Sequence, residues 1–247
     1  MEPGAWLMSV SEDVILKVRD LNAYYGAAHI LHGINLELSR GEAAVLIGRN
    51  GAGKSTTLKS IMGLVRPAAG EVIFEGDKIN GLAPYQIARM GLGYVPEDRR
   101  VFATLTVSEN LEVGRHERPG MKAEWTPDRL FELFPNLAEM RERTANQMSG
   151  GEQQMLAISR TLMGNPSVLL LDEPSEGLAP VIVESMAMAL RTLVDTGLSI
   201  LLCEQNLAFA AAICTRAYVI ETGQIRHEGT MNELLDRADL RKAYLAV

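Results

Sequence analysis

Ala43-Ala44-Val45-Leu46-Ile47-Gly48-Arg49-Asn50-Gly51-Ala52-Gly53-Lys54-Ser55-Thr56 is the stretch on which the reading of this chain turns. Ala43–Ile47 is an unbroken apolar run, the pattern of a strand covered on both faces, as in a parallel sheet. Gly48 to Ser55 then fits G-x-x-x-x-G-K-[ST]. Helical sequence follows from Ser55 to about Met62, so a buried strand, a glycine-rich loop and a helix stand in the order that a phosphate-binding loop requires. Glycines let successive backbone N–H groups point at one anion, and the helix N-terminus adds its partial positive charge. Gly48, Asn50, Gly51, Ala52, Gly53, Lys54, Ser55 and Thr56 are the expected nucleotide-binding residues, with Lys54 on the terminal phosphates and Ser55 on Mg2+. The loop by itself implies a nucleoside triphosphate, without saying which reaction.

Upstream, Val14–Arg19 and Ile34–Leu38 alternate apolar and polar residues, as half-buried antiparallel strands do. Downstream, Glu71–Phe74 and Leu92–Val95 read as short strands and Pro84–Met90 as a helix. The middle of the chain changes character. Thr106-x-x-Glu109 is a capping box that opens a helix through Val113. Arg115–Thr126 is polar and irregular, a candidate surface loop, and Asp128–Phe134 and Leu137–Arg143 are further helical pieces. Ser149-x-x-Glu152 opens another helix, to about Met163. Strand and helix then alternate: Val168–Leu171, Val181–Val194, Ser199–Cys203 and Leu207–Ile213. A hairpin of Ala217–Glu221 and Gln224–His227 and a helical C-terminus follow. This alternation predicts an α/β fold: a phosphate-loop core with a mostly parallel sheet and flanking helices, an N-terminal antiparallel β lobe, and a helical lobe. The expected division is a tail over 1–13 and one domain over 14–245. Within it, 14–95 holds the β lobe and the phosphate-loop half, 98–163 the helical lobe, and 165–245 the second half of the core.

The chain has 247 residues, 47% of them hydrophobic, enough for one core without disulfide staples and too many for disorder. No window approaches the ~18 consecutive apolar residues of a membrane span. The N-terminus opens with Glu2 and lacks the basic stretch of a signal peptide. A net charge of −7 argues against a nucleic-acid partner. Cys203 and Cys214 both lie in apolar runs and read as buried free thiols.

Val168-Leu169-Leu170-Leu171-Asp172-Glu173 ends a buried strand in two acids. At the carboxyl edge of a parallel sheet they face the crevice of the phosphate loop. Asp172 suits Mg2+ and Glu173 suits activation of the attacking water.

Met148-Ser149-Gly150-Gly151-Glu152-Gln153-Gln154 sets a glycine pair at a helix start with serine as its cap. That is a second anion-binding helix N-terminus in one chain. If it sits on a separate helical lobe it cannot reach its own phosphate loop, and a dimer with the lobes crossed would let each helix meet the other chain's ATP. The segment closely resembles the signature motif of ABC-type ATPases, and the resemblance extends from about Val14 to the C-terminal helices.

The resemblance implies further roles. Ser149, Gly150, Gly151 and Glu152 would contact ATP held by the partner chain. Tyr25 matches the aromatic that stacks on adenine, with Tyr24 as the fallback. Glu97 holds the position of the usual glutamine, which ligates Mg2+ and touches the membrane partner. Gln205 takes the place of the usual switch histidine, beside Glu173 as a catalytic residue. VPEDRRVF, SGGEQQMLAISR, S-x-GLAP and CEQN together look like the LivF-type ATPases of branched-chain amino acid importers. That implies ATP and Mg2+ as cofactors and a second ATPase chain, or a second copy of this one. It also implies two membrane permeases docked on a surface that includes Pro96–Phe102, an external solute-binding protein, and a peripheral place on the cytoplasmic face of the inner membrane. A urea or amide importer, a lipid exporter and a soluble non-transport ABC ATPase are the competing readings.

Overall fold

The computed structural model describes residues 13–116 and 124–244. The expected N-terminal tail, apart from Asp13, and the middle of the expected surface loop lie outside the described residues. Along the chain come β1 (Val14–Tyr25), β2 (Ala28–Ser39), β3 (Ala43–Ile47), α1 (Lys54–Ile61), β4 (Ala69–Phe74), β5 (Asp77–Lys78), α2 (Pro84–Met90) and β6 (Leu92–Val95). The helical stretch holds α3 (Val107–Gly114), α4 (Pro127–Leu133), α5 (Pro135–Glu139), a 3-10 turn (Ala145–Gln147) and α6 (Gly150–Leu162). The rest is β7 (Val168–Asp172), α7 (Pro180–Asp195), β8 (Ser199–Glu204), α8 (Leu207–Ile213), β9 (Arg216–Glu221), β10 (Gln224–Thr230), α9 (Met231–Asp236) and α10 (Ala238–Tyr244).

Among the described residues these strands make two sheets, ordered β2-β1-β4-β5 and β10-β9-β3-β8-β7-β6. The first is antiparallel throughout. In the second, β6, β7, β8, β3 and β9 run parallel and only β10 is antiparallel, so the fold is α/β with a mostly parallel core sheet. Alternate residues of the central strands enter different cores. Val45, Leu171 and Leu202 pack with the helical side, while Leu46, Leu170 and Leu201 pack under the antiparallel sheet. Two covered faces explain why these strands carry no polar alternation.

β1 and β2 are each twelve residues long, about twice the expected length. Their register shifts several times, and Asp20 takes a left-handed φ of 47° between Val18 and Leu21, so the two-residue alternation breaks although pairing continues. The piece expected over Leu137–Arg143 is also different. Its helix starts earlier, with Pro135 in the first turn, and ends at Glu139, after which a turn carries the chain to Arg143. The capping boxes are as expected: Thr106 with Glu109, and Ser149 with Glu152.

One side chain ties the sheets together. Tyr218 on β9 is fully buried, and its hydroxyl accepts from Glu37 N at 3.0 Å and donates to Glu37 O at 2.8 Å. It thereby satisfies the outer edge of β2, which no other strand pairs among the described residues. Tyr218→Phe removes both bonds and leaves two part-buried backbone groups without that partner. We expect a loss of about 1–3 kcal/mol in urea unfolding, with no change in fold.

Candidate active site

β3 delivers the chain into the loop 48–53 at the carboxyl edge of the core sheet, and α1 leaves it. A Cβ on Gly48 would sit 2.3 Å from Ile220 O, so only glycine fits against β9 there. Gly53, at φ 110°, is the N-cap of α1 and contributes no side-chain cap. Among the described residues, the N–H groups of Asn50, Gly51 and Gly53 make no hydrogen bond. The loop therefore presents several free donors at a helix start, the arrangement that suits a phosphate. Lys54 is 3% exposed and donates to Gly48 O at 2.9 Å and Arg49 O at 3.1 Å.

β7 brings its acidic end against this loop. Ser55 Oγ donates to Asp172 Oδ1 at 2.8 Å, and Tyr94 OH on β6 donates to Asp172 Oδ2 at 3.1 Å. Burial pushes the Asp172 carboxyl above its ordinary value, against the pull of these two donors. Glu173 follows in a left-handed turn at φ 46°, and its Oε1 lies 2.9 Å from Lys54 Nζ. Burial alone would raise Glu173, but a hydrogen bond to Glu176, the Lys54 ammonium and Gln205 outweigh it and hold it low. Glu176 answers in the other direction. Its hydrogen bond with Glu173, burial, and the charges of Glu173, Glu97 and Glu204 push it up to about 7. These shifts leave the charge on Glu173 and the proton on Glu176.

β8 supplies the third wall. Gln205 Nε2 donates to Asn50 Oδ1 and, at 3.5 Å, to Glu173 Oε2, linking the loop after β8 to both other segments. Glu204, 2% exposed, accepts from the N–H groups of Ser175, Gln205 and Asn206 at 3.1, 2.9 and 3.1 Å and so fixes the turns on either side. Glu204, Glu176 and Tyr94 were not among the expected catalytic, nucleotide-binding or metal residues. For Glu204 the signal was present: Ser199–Cys203 is an apolar run ending in an acid, like the run ahead of Asp172. Tyr94 and Glu176 announce themselves only once β6 lies beside β7 and the 173–176 turn is formed.

The remaining expected residues lie around this centre. Thr56 is buried in α1, and Ala52 is buried in the loop. Tyr25 is half exposed at the end of β1, whereas Tyr24 is stacked on His29 at 4.1 Å and 8°. Glu97 is exposed, and its charge reaches Glu176, but among the described residues no hydrogen bond joins it to Ser55 or Asp172. Ser149 caps α6, with Ser149 N donating to Glu152 Oε2 at 2.7 Å. Gly150 lies under Arg99 and Gly151 under Ile182. Among the described residues, no hydrogen bond joins this helix start to the phosphate loop.

Residues 31–176 match the family model described as ABC transporter. The chain belongs to the ABC transporter ATPase family. It binds ATP, and its hydrolysis of ATP is coupled to transport. Among similar proteins, the branched-chain amino acid transport ATP-binding protein BraG of Pseudomonas aeruginosa is 43% identical, over 94% of this chain and 99% of its own length. The probable branched-chain amino acid transport ATP-binding protein LivF of Archaeoglobus fulgidus is 36% identical over 94% and 99%. The lipopolysaccharide export ATP-binding protein LptB of Escherichia coli is 33% identical over 93% and 96%. The fold matches a nucleotide-free ATP-binding cassette (TM-score 0.78, 27% identity, 92% of this chain and 96% of that one). It also matches the dimeric bacterial cassette MJ0796 (TM-score 0.76, 26% identity, 88% and 99%).

The raised midpoint of Glu176 in this ABC transporter ATPase is measurable. In a carboxyl carbon NMR titration of the full chain, Glu176 should show a midpoint near pH 7. In the Glu173→Gln variant the neighbouring charge is gone, so the Glu176 midpoint should fall toward the ordinary carboxylate range. An unmoved midpoint would mean that burial, not Glu173, holds Glu176 up.

Proposed function

We propose that this chain is the ATP-hydrolysing subunit of an importer for branched-chain and other hydrophobic amino acids. It would work on the cytoplasmic face of the inner membrane, with a second ATPase chain or a second copy of itself, two permeases and an extracytoplasmic solute-binding protein. No nucleic acid takes part. The observation that carries the amino-acid reading is the likeness along nearly the whole chain to two proteins named for branched-chain amino acid transport, stronger than to the lipopolysaccharide export protein. The same export likeness keeps an exporter as the second reading.

The domain runs over 14–245, with the lobes divided as the sequence suggests. The loop amides from Gly48 to Ser55, Lys54 and Thr56 hold the phosphates, and Tyr25 stacks on the base. Tyr24 is spent on His29, which favours Tyr25 for this role. Ser55 and Asp172 offer hard oxygen ligands that fit Mg2+, with Glu97 close by. Mg2+ keeps several waters and is commonly held by one or two side chains together with substrate phosphates, which suits this pair. Bound Mg2+ would offset the phosphate charge. Glu173 takes a proton from the attacking water, and Gln205, touching both Glu173 and Asn50, positions that water. Ser149, Gly150, Gly151 and Glu152 complete the site on the facing chain.

Glu173→Gln keeps the shape and loses the base. ATP binding should persist while phosphate release falls roughly 10²–10⁴-fold, with ATP-bound dimers accumulating in sedimentation. Near-parental turnover would remove Glu173 from the role.

No helix among the described residues is long and apolar enough to cross a membrane, and the proposed permeases would make the contact with the bilayer. A groove of about 450 Å³ suits their docking, because Leu64, Tyr85, Phe102 and Val113 expose apolar surface there beside Arg100 and Arg160. One buried nitrogen of Arg160, Nη1, has no hydrogen-bond partner, so a segment seated here would carry an acceptor as well as apolar side chains. Phe102→Asp should cut substrate-stimulated ATPase and leucine uptake in proteoliposomes at least several-fold, while the ATPase of the chain alone changes little. Uptake of leucine, isoleucine and valine by the complete complex tests the substrate class. Stimulation by lipid alone would favour export.

A further inference from the structure

The loop after β6 sends its two arginines in different directions. Arg100 turns back to Asp98, with Nε 2.8 Å from Oδ2, and lines the groove. Arg99 lies on the first turn of α6. A Cβ built on Gly150 would be 2.5 Å from Arg99 Nη1, 3.1 Å from Cζ and 3.2 Å from Nη2, so the guanidinium rests directly on that glycine. This is an unfavourable place for a cation, because a helix N-terminus carries partial positive charge. Among the described residues Arg99 has no ion pair or side-chain hydrogen bond to offset it. The nearby acids are engaged elsewhere: Asp98 with Arg100, and Glu152 with Ser149 N. Two positive elements thus meet at one partly exposed spot, where Glu152 answers part of the helix end but no acid among the described residues pairs with Arg99.

We infer that Arg99 is a further phosphate-contacting residue of the composite ATPase site, acting with Ser149 and Gly150 on the terminal phosphate of ATP held by the facing chain. The inference rests on the composite-site reading above. Arg99 supplies a planar, permanently charged donor that complements a phosphate better than helix amides alone. It also sits two residues from Glu97 and one from Arg100, so the permease groove and the signature helix share a single short loop. A shift of that loop moves Arg99 relative to the phosphate it contacts. The ligand is therefore the γ-phosphate, and the role is positioning of the nucleotide across the dimer.

The test uses the 247-residue chain carrying Glu173→Gln, the variant expected to accumulate ATP-bound dimers. Sedimentation with ATP compares this parent with added Arg99→Met, Arg99→Lys or Gly151→Asp, while fluorescent ATP analogue binding is measured at concentrations where the chain is monomeric. Arg99→Met should raise the chain concentration needed for half-dimerisation by about tenfold, and Arg99→Lys by less, as expected for losing one charge-assisted contact. Monomer nucleotide affinity and melting temperature should match the parent. Dimerisation unchanged in Arg99→Met, weakened nucleotide binding by its monomer, or a lysine variant no better than methionine would each overturn the proposal. If Gly151→Asp also dimerises like the parent, the composite-site reading itself fails. If Gly151→Asp is impaired and Arg99→Met is not, only the role of Arg99 falls.

Discussion

The ammonium of Lys54 is out of water and is met by three oxygens: Gly48 O, Arg49 O and Glu173 Oε1. Two of those oxygens belong to its own loop, but the third comes from the end of β7. A buried cation without such partners would cost several kcal/mol, so the pair fixes where β7 must end relative to β3. β8 lies between the two strands and pairs with both in parallel, which sets the spacing. Ser55 and Asp172 repeat the same link one residue earlier on the strand side and one later on the helix side. The core sheet is thus a device for holding one loop and one acidic turn at a fixed distance.

That arrangement concentrates negative charge. Asp172, Glu173, Glu176 and Glu204 crowd the carboxyl edge, with Glu97 near enough for its charge to be felt at Glu176. The structure relieves the crowding in three ways. Lys54 neutralises Glu173, three backbone N–H groups cover Glu204, and the midpoint of Glu176 is pushed up to about 7. Gln205 adds a donor without adding a titrating group. Glu176 is protonated below its midpoint and donates to Glu173. Above it the two carboxylates repel.

What the sequence made legible follows from locality. The phosphate loop, the capping boxes and the apolar run into Asp172 and Glu173 each sit within a few residues, and local steric and hydrogen-bond rules decide them. The core sheet was legible because strands buried on both faces carry unbroken apolar runs. β1 and β2 were only half legible, since a left-handed Asp20 and repeated register shifts erase the alternation that marks a strand. Tyr94, Glu176 and the Arg99–Gly150 contact depend on which elements become neighbours, and no local pattern encodes that. Tyr218 belongs to the same class, because its two partners lie on a strand 181 residues away in sequence.

The two helix starts that matter most differ in a way that bears on how ATP is held. α1 opens on Gly53, with no side-chain cap and no acid in its first turn. Its free donors and end charge are undiminished, as suits a tight phosphate site. α6 opens on Ser149, with Glu152 in its first turn and a complete capping box. Its own carboxylate already answers part of the positive end, so the helix is stable without a ligand but attracts an anion less strongly. Arg99 over Gly150 restores the missing positive charge at that spot. Unlike a helix dipole, an arginine on a loop can be withdrawn. In the proposed composite site, one uncapped helix start and one capped start carrying a loop-borne cation would face the nucleotide from its two sides.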